Sequence, residues 1–433
     1  MKPSKYNFVF PLDGGMYLIY NAASGGFAEI DRQTLDLIKT SNQEPVPEPS
    51  ASVLENLKKG KFVVEDDFDE VGYLKVIMNT HRFTSNSFAL TIAPTLQCNF
   101  TCTYCYENHV PVTMSSDTIK AVNQFIQTNL KPIHALAITW FGGEPLLAMD
   151  IIKNITRNIL TTYTDPEFHF HAGMITNGYT LTKKVAEELP ELHIKRVQIT
   201  IDGPPDIHDK RRILANGKGT FHQILDNAVN AADILSISIR MNIDKANVDR
   251  VPEVLDILKE HGLTQKVNVY FAPVLNVGNL CRDVAASCFE YKTYSRHEIA
   301  LYKEAVEKGF DITKYPRPLR GYCGAVSLNS LLIDPYGNLH KCWNTVGIEA
   351  EAVGKIGEPL PMGSTLVRWL SWDPFENKDC VSCRYLPICM GGCPYLRRTR
   401  SVNCSPWRYN LEEMLRLYYT QKVTLADHSR DHV

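Results

Sequence analysis

Three things are missing from this sequence. It has no uninterrupted apolar run of membrane-spanning length, and its N-terminus, MKPSKYNFVF, lacks the apolar core of a secretory signal. A membrane or secreted protein is therefore not expected, and a cytoplasmic one is. It has no excess of either charge: 46 Lys and Arg stand against 48 Asp and Glu, which leaves no electrostatic footprint of nucleic-acid or anionic-membrane binding. Its first ~85 residues hold no cysteine, so the twelve that are present crowd into the remainder of a 433-residue chain. Disulfide scaffolds are usually much shorter, and clustered cysteines in a long chain of this kind point to metal ligation. The length itself suits about two or three domains of ~100–200 residues.

The cysteine-free N-terminal stretch reads as a module of its own. FVFPLDGGMYLIYN and FAEID are short apolar runs broken at Asp13, Gly14 and Gly15, the pattern of strands joined by a hairpin. Asp31 can cap a helix over RQTLDLIKT, and SNQEPVPEPSAS is a polar, proline-rich connection. VLENLKKG then reads as a helix stopping at Gly60, and KFVVEDDFDE as a strand and turn.

From Phe88 the pattern changes to strands alternating with helices, the signal for successive parallel βα units. FALTIAPT, ALAITWFGG, FHAGMITNGY, VQITIDG, SISIRMNID and VNVYFAPV have the length and apolar content of buried strands. SSDTIKAVNQFIQTNL opens with a serine cap, and RVPEVLDILKEHG carries apolar residues at helical spacing before stopping at His261 and Gly262. Six such units predict a barrel-like α/β sheet, open or incomplete, whose working residues sit on loops at the C-terminal ends of the strands.

The first of those loops is CNFTCTYCYE, with Cys98, Cys102 and Cys105 spaced CxxxCxxC. Thiolates are soft ligands that suit zinc or an iron-sulfur cluster, and a 4Fe-4S cubane takes four of them. Three leave one iron open, and an open position is where chemistry becomes possible. Other strand ends carry polar or small residues. Gly142, Gly143, Glu144 and Pro145 form GGEP, whose backbone can approach a ligand closely. Thr176, Asn177 and Gly178 end the third strand, Thr200, Asp202 and Gly203 the fourth, and Arg240 and Asn242 lie on the fifth. The forked guanidinium of Arg240 matches a carboxylate. GGEP read singly is also a tight turn, and Arg240 also a structural ion pair. His208, Asp209, Arg211 and Arg212 in DIHDKRR suggest proton transfer, but a lone loop histidine is more often structural.

These residues resemble the radical S-adenosylmethionine (SAM) superfamily, whose signature is CxxxCxxC after the first barrel strand. The resemblance implies a partial (β/α)6 TIM-like barrel. It implies that SAM chelates the open iron, that Tyr104 packs near the adenine, and that the GGEP loop holds the SAM amino group. It also implies that Thr176, Asn177, Thr200, Asp202, Arg240 and Asn242 contact SAM, and that its reductive cleavage yields a 5′-deoxyadenosyl radical that takes hydrogen from a substrate. Such a family member needs an electron donor such as a flavodoxin or ferredoxin.

The last ~115 residues hold a second frame: Cys323, Gly337 and Cys342, then CxxCxxxxxCxxxC over Cys380, Cys383, Cys389 and Cys393, then Cys404. Paired CxxC knuckles also make closed zinc sites. The frame resembles the SPASM domain, a C-terminal extension of radical SAM enzymes with two auxiliary 4Fe-4S clusters, which makes three clusters in all. By that likeness Cys323, Cys342 and Cys393 hold auxiliary cluster I and Cys380, Cys383, Cys389 and Cys404 auxiliary cluster II. Two full clusters need eight thiolates, so the fourth ligand of cluster I is Cys281, Cys288 or an open iron that takes a substrate cysteine; equally, Cys281 and Cys288 are small apolar fillers.

The expected architecture is thus residues 1–85 as a small α+β module resembling the winged-helix leader-recognition domains of ribosomal-peptide maturases, 86–310 as the partial barrel and 311–433 as the SPASM domain. SPASM enzymes mature ribosomally made peptides or oxidise a sulfatase residue to formylglycine. Sulfatase maturases begin near CxxxCxxC and carry an aspartate after the GxxxxC cysteine, whereas here ~97 residues precede the motif and Trp343 follows Cys342. The expected function is therefore maturation of a precursor peptide with a leader, most simply by joining a cysteine sulfur to carbon. A carbon-carbon crosslink or epimerisation begins the same way, and a nonenzymatic electron carrier or zinc-binding protein is the reading from another class.

Overall fold

The computed structural model describes residues 1–39, 50–84, 86–129, 133–276, 285–311, 314–359, 361–399 and 404–430. Contacts divide the chain into two compact units, one built from residues 1–83, 315–323 and 372–433 and the other from 84–314 and 324–371. The expected three-way division is therefore drawn differently: the N-terminal module packs with most of the C-terminal segment, while residues 324–371 pack with the strand-helix repeats.

The larger unit is an α/β fold around one sheet. Its strands in chain order are β1 (Ser87–Ile92), β2 (Ala135–Trp140), β3 (His169–Ile175), β4 (Ile194–Thr200), β5 (Ser236–Ile243), β6 (Val267–Pro273), β7 (Ser330–Ile333), β8 (Asn338–His340) and β9 (Gly354–Lys355). They lie in the order β6-β5-β4-β3-β2-β1-β7-β8-β9. All six expected strands pair in parallel, and helices such as Ser116–Asn129, Met149–Thr162, Phe221–Ala231 and Val251–Glu260 return the chain between them. β7 adds a seventh parallel strand beside β1, in register Leu331↔Leu90. It comes from the segment expected to be SPASM alone, because SLLI is as apolar as the inner strands and can be buried on both faces. Gly337, at φ 82°, turns β7 back into antiparallel β8, and a Cβ there would lie 2.8 Å from the Ile356 side chain. The glycine of the GxxxxC frame is thus a hairpin requirement. Ile92, Leu136, Trp140, Ile199, Ile237 and Ile239 are among the fully covered side chains of this core.

The smaller unit holds the expected hairpin: Asn7–Pro11, Tyr17–Asn21 and Phe27–Ile30 form an antiparallel three-stranded sheet, with a turn at Asp13–Gly15. Asp31 caps the helix Arg32–Lys39 through a 2.7 Å bond from the Thr34 amide, and Ala51–Lys59 is the second expected helix. A third helix, Glu70–Phe83, buries Leu74 and Met78 against Tyr6, Phe8 and Tyr20. The C-terminal helices share that core through Leu386, Ile388, Leu411 and Leu415. Most of the proline-rich stretch after Thr40 lies outside the described residues. Among the described residues no helix is long and apolar enough to cross a membrane.

Candidate active site

The loops at the C-terminal ends of β1 to β6 surround a cavity of about 360 Å3, within the ~300–1,000 Å3 usual for small-molecule sites. Cys98, Cys102 and Cys105 line it together with Tyr104, Gly142, Gly143, Thr176, Asn177, Thr200, Arg240 and Asn242. None of the three cysteines is disulfide-bonded. Burial pushes the Cys98 thiol up to about 12 and raises Cys102 and Cys105 as well, so ionised sulfur here needs a cation, as a thiolate-bound metal supplies.

The cysteine loop is held by chain segments far away in sequence. Phe100 bridges Leu214, the Thr101 amide donates to the Ile213 carbonyl at 2.9 Å, and the Ala215 amide to Asn99 at 2.9 Å. The Tyr104 hydroxyl donates to Asp202 and accepts from Arg212 at 2.7 Å and Asn242 Nδ2 at 3.1 Å. Asn177 Nδ2 donates to Asn99 Oδ1 at 2.7 Å and lies 4.0 Å from the Cys98 sulfur. Beneath the loop run the two glycines of GGEP. A Cβ on Gly143 would fall 2.3 Å from the Gln97 carbonyl oxygen, and one on Gly142 2.4 Å from that of Thr95. Small residues at these places let two backbones touch, and the Gly143 and Glu144 amides donate to those same carbonyls at 3.1 and 2.9 Å.

Three residues expected at the cofactor do not line the cavity. Glu144 is fully buried, and its oxygens accept from the Leu146 amide at 3.0 Å, the Thr176 hydroxyl at 2.7 Å and the Asn177 amide at 2.7 Å. Burial raises its pKa although these bonds pull the other way. Asp202, also fully buried, accepts from Tyr104 and from the Asn242 amide at 2.8 Å. Pro145 opens a short helical turn under the wall. Glu144 and Asp202 are therefore placed to orient Thr176, Asn177, Tyr104 and Asn242, because both carboxylates are spent on protein donors.

His208 is structural. Its Nδ1 accepts from the Asp202 amide at 3.2 Å, its Nε2 meets Thr220 Oγ1 at 3.1 Å, and burial lowers its pKa to about 3. A histidine neutral when folded but titrating near ~6.5 when unfolded favours unfolding as pH falls. Its share of stability is whole above pH ~6.5 and is lost on the way to pH ~3, at ~1.4 kcal/mol per pH unit. Anaerobic denaturation at pH 7.5 and 5.5 should show a loss of ~1 kcal/mol from this residue, which His208→Gln removes.

The cavity wall also contains Arg212 and Trp343, which the sequence did not place at the cofactor, and Glu107. Arg212, almost fully buried, sits over the Phe100 ring at 5.7 Å. Its guanidinium is held charged against the burial cost by Tyr104, Cys102 and Asp202. Glu107 gives the wall a buried oxygen with no protein partner, and burial lifts its carboxyl to about 8. Trp343 closes one side, its ring 5.0 Å from that of Phe141 and its indole N–H on Thr91 Oγ1 at 3.1 Å. The acidic residue two places after Cys105 was the signal in the sequence for Glu107.

The second cysteine frame is divided between the units. In the smaller unit Cys380, Cys383, Cys389 and Cys404 line one cavity of about 210 Å3. Between Cys389 and Cys393, Met390, Gly391 and Gly392 all take positive φ, at 44°, 81° and 80°. Cys393 is exposed and does not line that cavity. It belongs to the same unit as Cys323, whose neighbour Tyr322 donates its hydroxyl to the Gly392 carbonyl. Cys342 belongs to the larger unit. Cys288 lies just ahead of the helix Tyr291–Glu307 and lines neither cavity, and Cys281 falls outside the described residues. Among the described residues no three His, Cys, Asp or Glu side chains converge on a single-ion site; both cysteine sets open on larger spaces, which fits a cluster in each.

Residues 92–280 match the family model of the radical SAM superfamily. The chain is 23% identical over 352 residues to a cysteine-type anaerobic sulfatase-maturating enzyme of Clostridium novyi, covering 73% of this chain and 90% of that one. It is 26% identical over 167 residues to an Fe-coproporphyrin III synthase of Methanosarcina barkeri, of which it spans only 39%. The fold superposes on Streptococcus suis SuiB bound to precursor peptide SuiA with a TM-score of 0.56 at 14% identity, covering 94% of this chain and 98% of that one.

Proposed function

We propose, from the premise that residues 92–280 belong to the radical SAM superfamily, that this chain is a SPASM-type peptide maturase that forms a thioether between a cysteine sulfur and a carbon of a precursor peptide. The observation that carries the reading is the cavity at the strand ends, where three cysteines on one loop meet Thr176, Asn177, Arg240 and Asn242. When bound there, SAM and a 4Fe-4S cluster supply a 5′-deoxyadenosyl radical that takes a hydrogen atom. The chain's own residues do the rest. Cys98, Cys102 and Cys105 hold the cluster, Arg240 and Asn242 orient the cofactor, Asn177 and Tyr104 fix the loop, and Phe141 and Trp343 keep water from the reacting carbon. Within the smaller unit, Cys380, Cys383, Cys389 and Cys404 hold an auxiliary cluster.

Two features favour a peptide maturase over a sulfatase maturase. Trp343, where sulfatase maturases carry an acid, places an indole in the cavity wall, and an indole cannot accept a proton. The smaller unit offers outer strands, Asn7–Pro11 and Phe27–Ile30, suited to a leader that extends a sheet through backbone bonds. A bound leader raises the local concentration of the core peptide. The relationship to a sulfatase-maturating enzyme keeps formylglycine formation as the second reading. Full-length protein, purified without oxygen and incubated with SAM, a reductant and a short cysteine-containing precursor encoded nearby, should leave the peptide two hydrogens lighter and its cysteine closed to alkylation. An aldehyde captured by a hydrazide probe, with the mass loss a formylglycine requires, decides for the sulfatase reading instead.

A further inference from the structure

The two cysteine cavities differ in what touches their sulfurs. At the first, the Phe100 amide lies 3.4 Å and the Asn177 side chain 4.0 Å from the Cys98 sulfur, and His109 Nε2 meets the Cys105 sulfur at 3.4 Å. Two guanidinium groups line this cavity, Arg212 donating to the Tyr104 oxygen at 2.7 Å and Arg240 to Asn242 Oδ1 at 2.8 Å. At the cavity of Cys380, Cys383, Cys389 and Cys404 the donors include two guanidinium groups. Arg408 NH1 lies 3.2 Å from the Cys404 sulfur, and Arg397 NH2 lies 3.8 Å from that of Cys380. Arg397 is aimed there by a second bond, Nε to the Gly391 carbonyl at 2.8 Å, so the left-handed turn that separates Cys389 from Cys393 also locks this cation. Asp379 is the single carboxylate on the described wall, against these two guanidinium groups.

We infer that Arg397 and Arg408 raise the reduction potential of the iron-sulfur cluster held by these four cysteines, an inference that rests on the cluster assignment made above. Adding an electron to a thiolate-ligated cluster adds a negative charge. N–H donors on the sulfurs and fixed positive charge beside them stabilise that reduced form more than the oxidised one. Guanidinium groups stay charged throughout the physiological range, so the effect does not fade with pH. Arg408 makes the shorter contact but is exposed, and solvent screens it; Arg397 is longer but half-buried. Both therefore contribute. A cluster poised this way takes up an electron more readily than the same cluster without the two guanidinium groups.

The test is an anaerobic potentiometric titration of the full-length, cluster-loaded protein followed by electron paramagnetic resonance, with iron and sulfide assayed alongside. Loss of one couple in Cys404→Ala identifies the cluster concerned. In Arg397→Gln, Arg408→Gln and the double variant, that couple should move to more negative potential, furthest in the double, while the other couples and the iron content stay put. An unmoved couple in the double variant with its iron retained overturns the inference. Iron lost from every glutamine variant overturns it too, since the arginines then hold the cluster and do not poise it. A parent protein that carries zinc and no iron overturns the cluster assignment itself, a separate result from either.

Discussion

Cys98→Ala abolishes the release of 5′-deoxyadenosine from SAM and lowers the iron content by about four per chain, out of about twelve for three cubane clusters. Two thiolates are left where the open-iron arrangement needs three. The neighbouring side chains do not replace the third: Asn177 and Asn99 pair with one another, and the Phe100 amide is a donor. Since burial disfavours ionised Cys102 and Cys105, losing a ligand also weakens the metal charge that would keep those two deprotonated. Chromatography of the nucleoside products and an iron assay on reconstituted protein measure both effects. Nucleoside release that persists in this variant refutes the assignment of the first cavity. A brown preparation that keeps the remaining iron shows that the other cysteines bind independently.

The second large effect is at Glu144. Glu144→Ala strands three buried donors at once, the Leu146 and Asn177 amides and the Thr176 hydroxyl. At ~1–3 kcal/mol for each unpaired buried group, the variant loses on the order of 3 kcal/mol or more, a large part of a typical net stability. The damage is local to the first cavity because Thr176 and Asn177 both line it. Denaturation midpoints and SAM affinity should therefore fall together. Glu144→Gln keeps one carbonyl oxygen but turns an N–H2 toward donors, and should fall between the wild type and alanine. Were Glu144 a direct cofactor contact, the glutamine variant would lose SAM affinity at full stability, a pattern the buried carboxylate does not predict.

Positioning residues of this kind were only half legible. The strand ends that carry Thr176, Asn177 and Asp202 could be read because apolar strands of the right length stop just before them. Which of their side chains face ligand and which face protein could not be read, since period-2 alternation ends where the strand ends and the loop then sets direction. Glu144 follows two glycines in a loop that a sequence reading treats as ligand-facing. The glycines are instead needed for contact with the Thr95–Gln97 backbone, and that contact carries Glu144 inward. The division of the chain was missed for a similar reason. The cysteine frame from Cys323 to Cys404 is continuous as a pattern, yet β7 within it adds to the main sheet because its four residues complete an edge that β1 would otherwise leave unpaired.

By itself the sequence determined the ligand chemistry and the scaffold. Soft thiolates at CxxxCxxC just past an apolar strand, six strand-helix repeats and a second cysteine frame all depend on local order along the chain, which spacing records. Only the tertiary structure decided what surrounds the sulfurs. Arg212 meets Tyr104 across 108 positions of sequence, and Arg397 reaches Cys380 across 17. Long side chains swing through several ångströms, so the partner of a guanidinium is chosen by which backbones fold together and not by its neighbours in the chain.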